Sequence, residues 1–212
     1  IRESDRPEDE EELNQACCRA LLRRVNSLLG REYIEHMATT GLRVPRGTAD
    51  ARLLEVSVVS ADFDARFAAL ERSYTYRLVP EGQLPLARRW DVYEVAQPLD
   101  IEAMNRAAQP LLGEHEFLAF CRPREGATTI RTLRILRAER DSEGTLVFRV
   151  EADAFCHSMV RSLVGALLLV GSGARDIDYP AQILRARSRS EAAPIAPAHG
   201  LTLEGVEYPD PS

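Results

Sequence analysis

The first hydrophobic pattern along the chain is helical. Within residues 9–29, apolar side chains recur at every fourth position from Leu13 to Val25, with acidic residues in the first turn and Arg in the last. This pattern predicts a helix that buries the apolar stripe and ends at Gly30. Residues 31–50 show no clean period and contain Gly and Pro, so we expect them to form an inserted loop.

Alternation and β-branched composition predict strands in five later segments. These segments are 51–59, 72–79, 129–141, 145–153 and 200–208. In the second of them, Tyr74 and Tyr76 fall on one face of the strand, whereas Thr75 and Arg77 fall on the other. The third and fourth are joined across residues 141–144, Asp-Ser-Glu-Gly, which indicates a hairpin.

Helical patterns return between these strands. Residues 99–113 predict a helix that begins after Asp100, the candidate N-cap, and stops at Gly113, and residues 114–121 are expected to form a connector. Two more helices are predicted, over 158–173 and 179–188. Because the segment 158–173 is apolar on nearly every side, we expect it at the centre of the fold. Helices and hairpins in this order predict the α+β class.

Composition narrows the class of protein. The chain has 212 residues, enough for one large domain or two small ones, and its 45% hydrophobic and 28% charged residues are ordinary for a soluble protein. No stretch approaches the roughly 18 apolar residues of a membrane span. The four Cys residues form no C-x-x-C pair and no zinc-binding spacing, which favours a reduced cytoplasmic setting.

Charge is distributed unevenly along the chain. The formal net charge is −6, and the first 12 residues alone hold seven acidic residues and two Arg. Every basic residue is Arg, and two groups stand close in sequence: Arg66, Arg72, Arg77, Arg88 and Arg89, then Arg122, Arg124, Arg131 and Arg134. Either group could contact a polyanion, although a biased genome composition also explains Arg in place of Lys.

Arg161 is the most unusual polar residue in the predicted helices. It lies inside the apolar run MVRSLVGALLLV, where an unpaired buried charge would cost several kcal/mol. Two explanations remain open. The side chain either reaches solvent from the start of the helix, or it holds a carboxylate or phosphate in a cleft.

Other candidates have structural explanations beside the functional ones. Asp62 and Asp64 flank Phe63 in the segment ADFDARF, where they either form a solvated turn or supply the carboxylates of a hydrolase. Tyr74 either packs in a core or stacks on a base. His157 has no nucleophile or acid at a suitable spacing, so a packed or capping role is favoured.

Four sequence blocks, in order, resemble one enzyme family. The blocks are DFDARFAALERSYTYRL, AAQPLLGEHEFLAF, ADAFCHSMVRSLVGALLLVG and APAHGLTLEGVEYPD, and they cover about residues 50 to 210. They are similar to D-F-H-A-R-F-S-A…R-x-Y-x-Y, A-A-x-x-L-x-G-x-H-D-F-x-x-F, N-x-F-x-x-x-M-V-R-x-(I/L)-V-G and G-L-x-L-x-x-V-x-Y. These are motifs of the tRNA pseudouridine synthase A family.

The resemblance implies a fold, a reaction and partners. We expect the pseudouridine-synthase fold, an α+β domain with a mixed, mostly antiparallel sheet flanked by helices. Residues 1–80 would be the remainder of its N-terminal half, and residues 81–212 its C-terminal half. The family isomerises uridine to pseudouridine in the anticodon stem-loop of tRNA, without a metal or cofactor. It is cytoplasmic, has no membrane partner, and is a homodimer in which one tRNA touches both subunits.

The family's functional residues carry over motif by motif. The resemblance places a turn that contacts tRNA at Phe63, Asp64, Ala65, Arg66 and Phe67. It places a second tRNA-contacting loop near Arg124 and Thr128. It also implies a Tyr that stacks on the target base, a Leu in the wall of the base pocket and an Arg that pairs with the catalytic Asp, at Tyr74, Leu201 and Arg161.

Two departures from the family pattern matter. Asp64 stands where the family has His, and a carboxylate repels phosphate. The G-R-T-D-A-G-V-H-A motif, which carries the family's Asp nucleophile, has no match, because RGTADA at 46–51 lies too close to the turn and lacks the T-D-A-G order. We therefore expect the N-terminal part of the fold to be missing, the nucleophile to lie upstream of residue 1, and this chain alone to be inactive. A non-catalytic RNA-binding relative and a structural dimerisation fragment remain as alternative functions.

Overall fold

The chain folds into two compact units. The computed structural model describes residues 10–45, 47–122, 126, 128–188 and 194–209. One unit is Ile1–Phe63 with Pro211–Ser212, and the other is Asp64–Asp210. The expected division at residue 80, between the remainder of an N-terminal half and a C-terminal half of the family's domain, stays a prediction. Among the described residues, no helix is long and apolar enough to cross a membrane.

The first unit contains one long helix, α1 (Glu10–Thr39), whose first turn is acidic as the sequence predicted. The predicted end at Gly30 is wrong, because the helix continues through this buried glycine. A glycine in a helix interior costs about 1 kcal/mol but does not end the helix, and the following residues are mostly helix formers. The inserted loop expected over 31–50 therefore begins only after Thr39.

Two further predictions for the first unit are also wrong. Leu13 and Leu21 of the stripe expected to be buried are 49% and 51% exposed, because no described segment of this unit covers that face. Residues 51–59 form no strand. The side-chain amide of Asn26 instead binds both the N–H and the C=O of Leu53, each at 2.8 Å. A strand requires a partner ladder, which a local pattern does not supply.

The second unit is a six-stranded sheet with three helices. The strands are β1 (Glu71–Pro80), β2 (Tyr93–Val95), β3 (Gly113–Glu116), β4 (Ile130–Arg140), β5 (Leu146–Ala152) and β6 (Leu201–Glu207). The helices are α2 (Ile101–Ala108), α3 (Met159–Gly171) and α4 (Tyr179–Ala186). The strand order is β2-β1-β5-β4-β3, with β6 also paired to β1, and only β1–β2 is parallel. The expected mixed, mostly antiparallel α+β sheet is confirmed.

Strand β1 is the centre of the sheet, and its predicted faces are confirmed. It pairs with β5 on one edge and with β6 and β2 on the other. Tyr76 is fully buried, and its hydroxyl donates a hydrogen bond of 2.8 Å to the carbonyl of Pro197. On the opposite face, Thr75 and Arg77 both bind the carboxylate of Glu204.

Around the sheet, helix α3 is central, as its apolar sequence predicted, with ten of its 13 residues buried. The cap predicted for α2 is also confirmed, since Oδ1 of Asp100 accepts the N–H of Ala103 at 2.9 Å. Helix α2 ends at Ala108 rather than Gly113 and is followed by a tight 3₁₀ turn. Pro110 explains this end, because it has no N–H for the next helical hydrogen bond.

Two connections differ from the sequence prediction. Residues 114–116 were expected to belong to a connector, but with Gly113 they form β3, which pairs with the start of β4. Cys121 and Cys156 form a disulfide with a Cα–Cα distance of 5.6 Å, which is typical of such bonds. This bond departs from the reduced state that the cysteine pattern favoured, because the proximity of two cysteines 35 residues apart is set by the tertiary structure and not by their spacing. It joins the segment after β3 to the turn before α3.

Candidate active site

A cavity of about 440 Å³ opens in the second unit beside the first turn of α3. Its volume falls within the range of about 300–1,000 Å³ that is usual for ligand sites. It is lined by the turn before β1, β1 itself, the segment leading into β4, the start of α3 and the start of β6. Five residues that the sequence predicted for the site meet here: Arg66, Tyr74, Thr128, Arg161 and Leu201.

One wall of the cavity is apolar and partly aromatic. The rings of Tyr74 and Phe155 meet edge to face, with their centroids 5.2 Å apart. Leu201 reaches the same cavity because β6 pairs with β1, with Leu201 opposite Tyr76. Phe155 was not predicted as a site residue, although it lies in the conspicuous ADAFCHSMVR block. These side chains form a surface on which a base can stack.

Arg161, the isolated charge of α3, lines the cavity and is half-buried. Its Nε donates a hydrogen bond of 2.5 Å to the carbonyl of Ala196, and its own carbonyl accepts the N–H of Ala196 at 3.1 Å. Of the two explanations left open by the sequence, this geometry favours a cleft over escape to solvent. Its pairing with a catalytic Asp stays a prediction.

The cavity is positively charged. Four Arg residues line it, Arg66, Arg122, Arg131 and Arg161, together with His157. Within the part of the chain that the structure describes, no Asp or Glu lines it. An excess of charge of one sign in a cleft raises the local concentration of a ligand of opposite charge. The cavity therefore favours an anionic ligand.

Most of the other arginines grouped in the sequence bind protein atoms instead. Arg77 pairs with Glu204 at 2.5 Å, and Arg88 pairs with Asp91 at 3.1 Å. Arg134 pairs with Glu71. Closeness in sequence did not separate these residues from Arg122 and Arg131, because the acidic partners of Arg77 and Arg134 lie 127 and 63 positions away in the chain.

The turn at 64–67 is shaped by its own aspartate. Oδ1 of Asp64 accepts the N–H groups of Arg66 at 2.8 Å and Phe67 at 3.0 Å. The carbonyl of Ala65 accepts the hydroxyl of Tyr208 at 2.8 Å. Phe67 is 78% exposed, and the guanidinium of Arg66 stacks 5.3 Å from its ring centroid. Contacts of Asp64, Ala65 and Phe67 with tRNA stay predictions, since none of the three lines the cavity.

Arg72 holds this turn in place, and the sequence did not single it out for that role. Its guanidinium donates to three carbonyls: Asp153 at 2.6 Å, Arg66 at 2.7 Å and Ala69 at 3.2 Å. The first lies in the turn before α3, and the other two lie in the turn before β1. Arg72 therefore joins two segments that border the cavity. Its place in the R-x-Y-x-Y block was the only available signal.

The remaining predicted site residues are placed as follows. Phe63 belongs to the first unit, where its N–H donates to the carbonyl of Ser60 at 3.1 Å. Thr128 lines the cavity, and its Oγ1 accepts the N–H of Ile130 at 3.1 Å. Arg124 lies outside the described residues.

Two titratable groups on β1 and β6 have shifted pKa values. Burial raises the pKa of the Tyr76 hydroxyl above its usual range, so this group stays protonated and donates to Pro197. Hydrogen bonds, first from Thr75 and then from Arg77, hold the pKa of the Glu204 carboxyl below its usual range. Only the shift of Glu204 adds stability near neutral pH, because its ionised form is favoured by the bonds from β1, whereas Tyr76 is protonated in the folded and the unfolded chain alike.

Comparisons with known proteins point to one family. A family model described as tRNA pseudouridine synthase matches residues 107–209. A tRNA pseudouridine synthase A from Frankia casuarinae is 54% identical over 160 residues, which is 74% of this chain and 58% of that protein. Proteins of the same name from Streptomyces griseus and Streptomyces avermitilis are 49% and 47% identical, over 76% and 86% of this chain and 57% and 65% of their own length.

The chain thus spans less than two-thirds of the length of these relatives. The family model covers part of the cavity lining, from the segment before β4 through α3 to β6, and does not extend to Arg66 or Tyr74. With this identity to several synthases and with the matched blocks converging on one cavity, the chain belongs to the tRNA pseudouridine synthase family.

Proposed function

We propose that this chain is part of an enzyme that isomerises uridine to pseudouridine in the anticodon stem-loop of tRNA. The observation that carries the proposal is the cavity, in which four Arg residues and no described acidic residue accompany an apolar wall. RNA supplies both features that such a cavity fits, because its phosphates attract Arg and its bases stack on aromatic rings.

The chain's own residues would divide the work of binding. A uridine turned out of the RNA stack enters the cavity, where Tyr74 and Leu201 hold the base. Arg66, Arg122 and Arg131 contact the surrounding phosphates. A base held by stacking rather than by fixed hydrogen bonds is free to rotate in its own plane, which the isomerisation requires.

The chemistry needs a carboxylate nucleophile. The N1–C1′ bond of uridine breaks, the base rotates, and a C5–C1′ bond forms, while C5 loses its proton and N1 gains one. Arg161 keeps the nucleophilic Asp ionised and oriented through charge-assisted hydrogen bonds. Because Nε of Arg161 binds Ala196, its two Nη groups are the donors for that carboxylate.

The resemblance implies that the nucleophile belongs to a sequence motif that these 212 residues do not contain, and no described residue that lines the cavity is acidic. This chain alone would therefore be inactive. The resemblance further supports a homodimer that acts on tRNA in the cytoplasm. A second function, RNA binding without chemistry, is favoured by the same lack of an acidic residue in the lining.

Tritium release from tRNA that carries [5-³H]uridine tests the proposal, because the reaction removes the C5 proton. We expect release by the full product of the gene and none by the 212-residue chain alone. Retention of tRNA on a filter without tritium release by the full product would favour the non-catalytic RNA-binding protein. The absence of both would leave the structural dimerisation role, and turnover by the 212-residue chain would place a nucleophile within it.

A further inference from the structure

A short segment, residues 194–200, crosses α3 and β1 before it enters the cavity as Leu201. We call it the strap. It consists of Pro194–Pro197, in no regular structure, and one 3₁₀ turn, Ala198–Gly200. The strap is the only described connection from α4 to β6, so its position sets where β6 begins. Two glycines of the family-like blocks are close to it: Gly165 lies against the strap, and Gly200 lies within it.

Gly165 gives the strap the room to lie against α3. A Cβ atom at this position would be 1.8 Å from the carbonyl oxygen of Pro194, 3.0 Å from its carbonyl carbon and 3.4 Å from the amide nitrogen of Ala196. These atoms are all backbone, so no side-chain rotation relieves the contact. Any residue other than glycine at 165 must therefore move the strap or the helix.

The same face of α3 also fixes Arg161 to the strap. Arg161 and Gly165 lie one helical turn apart, on neighbouring positions of one face. Two hydrogen bonds join Arg161 to Ala196 of the strap, one from the side-chain Nε at 2.5 Å and one to the backbone carbonyl at 3.1 Å. Together they form a closed ring of bonds that ties the Arg161 side chain and α3 to the strap. Displacement of the strap at Pro194 would break this ring and release the guanidinium that lines the cavity.

The other end of the strap is held by Tyr76. Its hydroxyl donates to the carbonyl of Pro197 at 2.8 Å, and its ring packs on Gly200, where a Cβ would lie 2.8 Å from Cε1 and Cζ. Leu201 follows directly and pairs with Tyr76 in the sheet. The strap is therefore tied at both ends, and each tie leads to a residue of the cavity.

We propose that Gly165 is a positioning residue for the isomerisation, which acts by setting the strap and, through it, Arg161 and Leu201. This inference rests on the proposed function. Displacement of reacting groups by about 1 Å lowers chemical rates by about 100-fold. Overall tRNA affinity depends instead on phosphate contacts, which Gly165 does not make. A change at Gly165 should therefore lower the chemical step and leave tRNA binding intact.

The test compares Gly165→Ala with Gly171→Ala in the full product of the gene. Both replacements remove a glycine from α3, Gly165 from its interior and Gly171 from its last position. A Cβ at Gly171 meets only side-chain atoms, with Sδ and Cγ of Met104 at 2.6 and 2.8 Å, so the buried Met104 has to repack but no backbone has to move. We expect Gly165→Ala to lower the single-turnover rate about 100-fold with tRNA affinity within about twofold of wild type. Gly171→Ala should stay within about threefold in both measurements.

A second variant covers the case in which Gly165→Ala does not fold. Tyr76→Phe keeps the ring on Gly200 and removes only the hydrogen bond to Pro197, so we expect about a tenfold lower rate with unchanged affinity. Equal rates for wild type, Tyr76→Phe and Gly165→Ala would overturn the inference, as would a parallel loss of affinity and rate.

A structural measurement separates this inference from the proposed function. If the wild-type protein binds tRNA but releases no tritium, the proposed activity is wrong, and hydrogen exchange then decides about the strap. The amides of residues 201–203 should exchange faster in Gly165→Ala than in Gly171→Ala, since the start of β6 has lost its anchor. Equal exchange in the two variants would show that Gly165 does not position the strap.

Discussion

Replacement of Arg72 by Met should destabilise the protein without changing how its tRNA binding depends on salt. The guanidinium of Arg72 donates to the carbonyls of Asp153, Arg66 and Ala69, at 2.6, 2.7 and 3.2 Å. Met has a similar length and apolar stem but no donor. The change therefore removes three hydrogen bonds and unties the turn before β1 from the turn before α3.

The expected magnitude follows from these three bonds. A partly buried hydrogen bond from a charged donor contributes about 1.5–3 kcal/mol, which applies to the bond with Asp153. The bond to Arg66 is exposed and the bond to Ala69 is long, so each adds about 0.5 kcal/mol. The free energy of unfolding should fall by about 3 kcal/mol, which lowers Tm by about 6–12 °C. Arg72→Lys should recover less than half, because one ammonium does not span three carbonyls.

Urea denaturation and filter binding across a salt series, both on the full product of the gene, measure the two effects. Arg106→Met is the matched control, since Arg106 is exposed and its 3.8 Å pair with Glu102 one turn away contributes only about 0.3–0.5 kcal/mol. A loss for Arg72→Met within about 0.5 kcal/mol of that control would refute the reasoning. A salt slope lowered by about 0.7–0.9 would show that Arg72 contacts a phosphate.

Four further predictions follow from the same site. Arg66→Ala should weaken tRNA binding and change the log–log salt slope by about 0.7–0.9, as filter binding will show; an unchanged slope would exclude a phosphate contact. Tyr74→Leu should lower tritium release but keep the salt slope, because stacking contributes about 1–3 kcal/mol per base and carries no charge. Asp64→Ala should cost about 0.5–2 kcal/mol in urea denaturation, whereas Asp64→Asn should cost less, since Asn still accepts the turn's N–H groups; equal losses would exclude this cap. The pKa of Glu204 is lowered in the folded protein, so its stabilising effect is present above the unfolded pKa of 4.5 and is lost as pH falls through the folded pKa. The wild type should therefore be more stable than Glu204→Gln at neutral pH in urea denaturation, and this difference in stability should close as pH falls below about 4.5; a difference that does not change with pH would refute the assignment.

Predictions from the sequence were confirmed for elements whose structure depends mainly on their own residues. Strand β1 with its two faces, the β4–β5 hairpin, the cap at Asp100 and the all-apolar helix α3 were each predicted and confirmed. Alternation, capping and uniform apolarity are local properties, because they depend on residues within a few positions of one another. The family-like blocks added the site residues that no periodicity identifies.

Predictions from the sequence were wrong where contacts with other segments of the chain determine the secondary structure. Residues 51–59 have the composition of a strand, but Leu53 bonds to the side chain of Asn26 and no strand forms, and residues 114–116 were expected in a connector but pair with β4. In these two cases, contacts between segments distant in sequence outweighed a local preference of about 1 kcal/mol. Gly30 was predicted to end the first helix, but the helix continues to Thr39, because one glycine costs only about 1 kcal/mol among helix-forming neighbours.

Which arginines line the site also depends on the tertiary structure. The sequence supplied an excess of Arg, but it did not show that Arg77, Arg88 and Arg134 meet acidic residues. Nor did it show that Arg122 and Arg131 join the cavity. The sequence by itself determined β1, the β4–β5 hairpin, the central helix and the residue types of the site. Only the tertiary structure decided which arginines meet acidic residues and which line the cavity, because pairing depends on distances of a few ångströms between residues far apart in the chain.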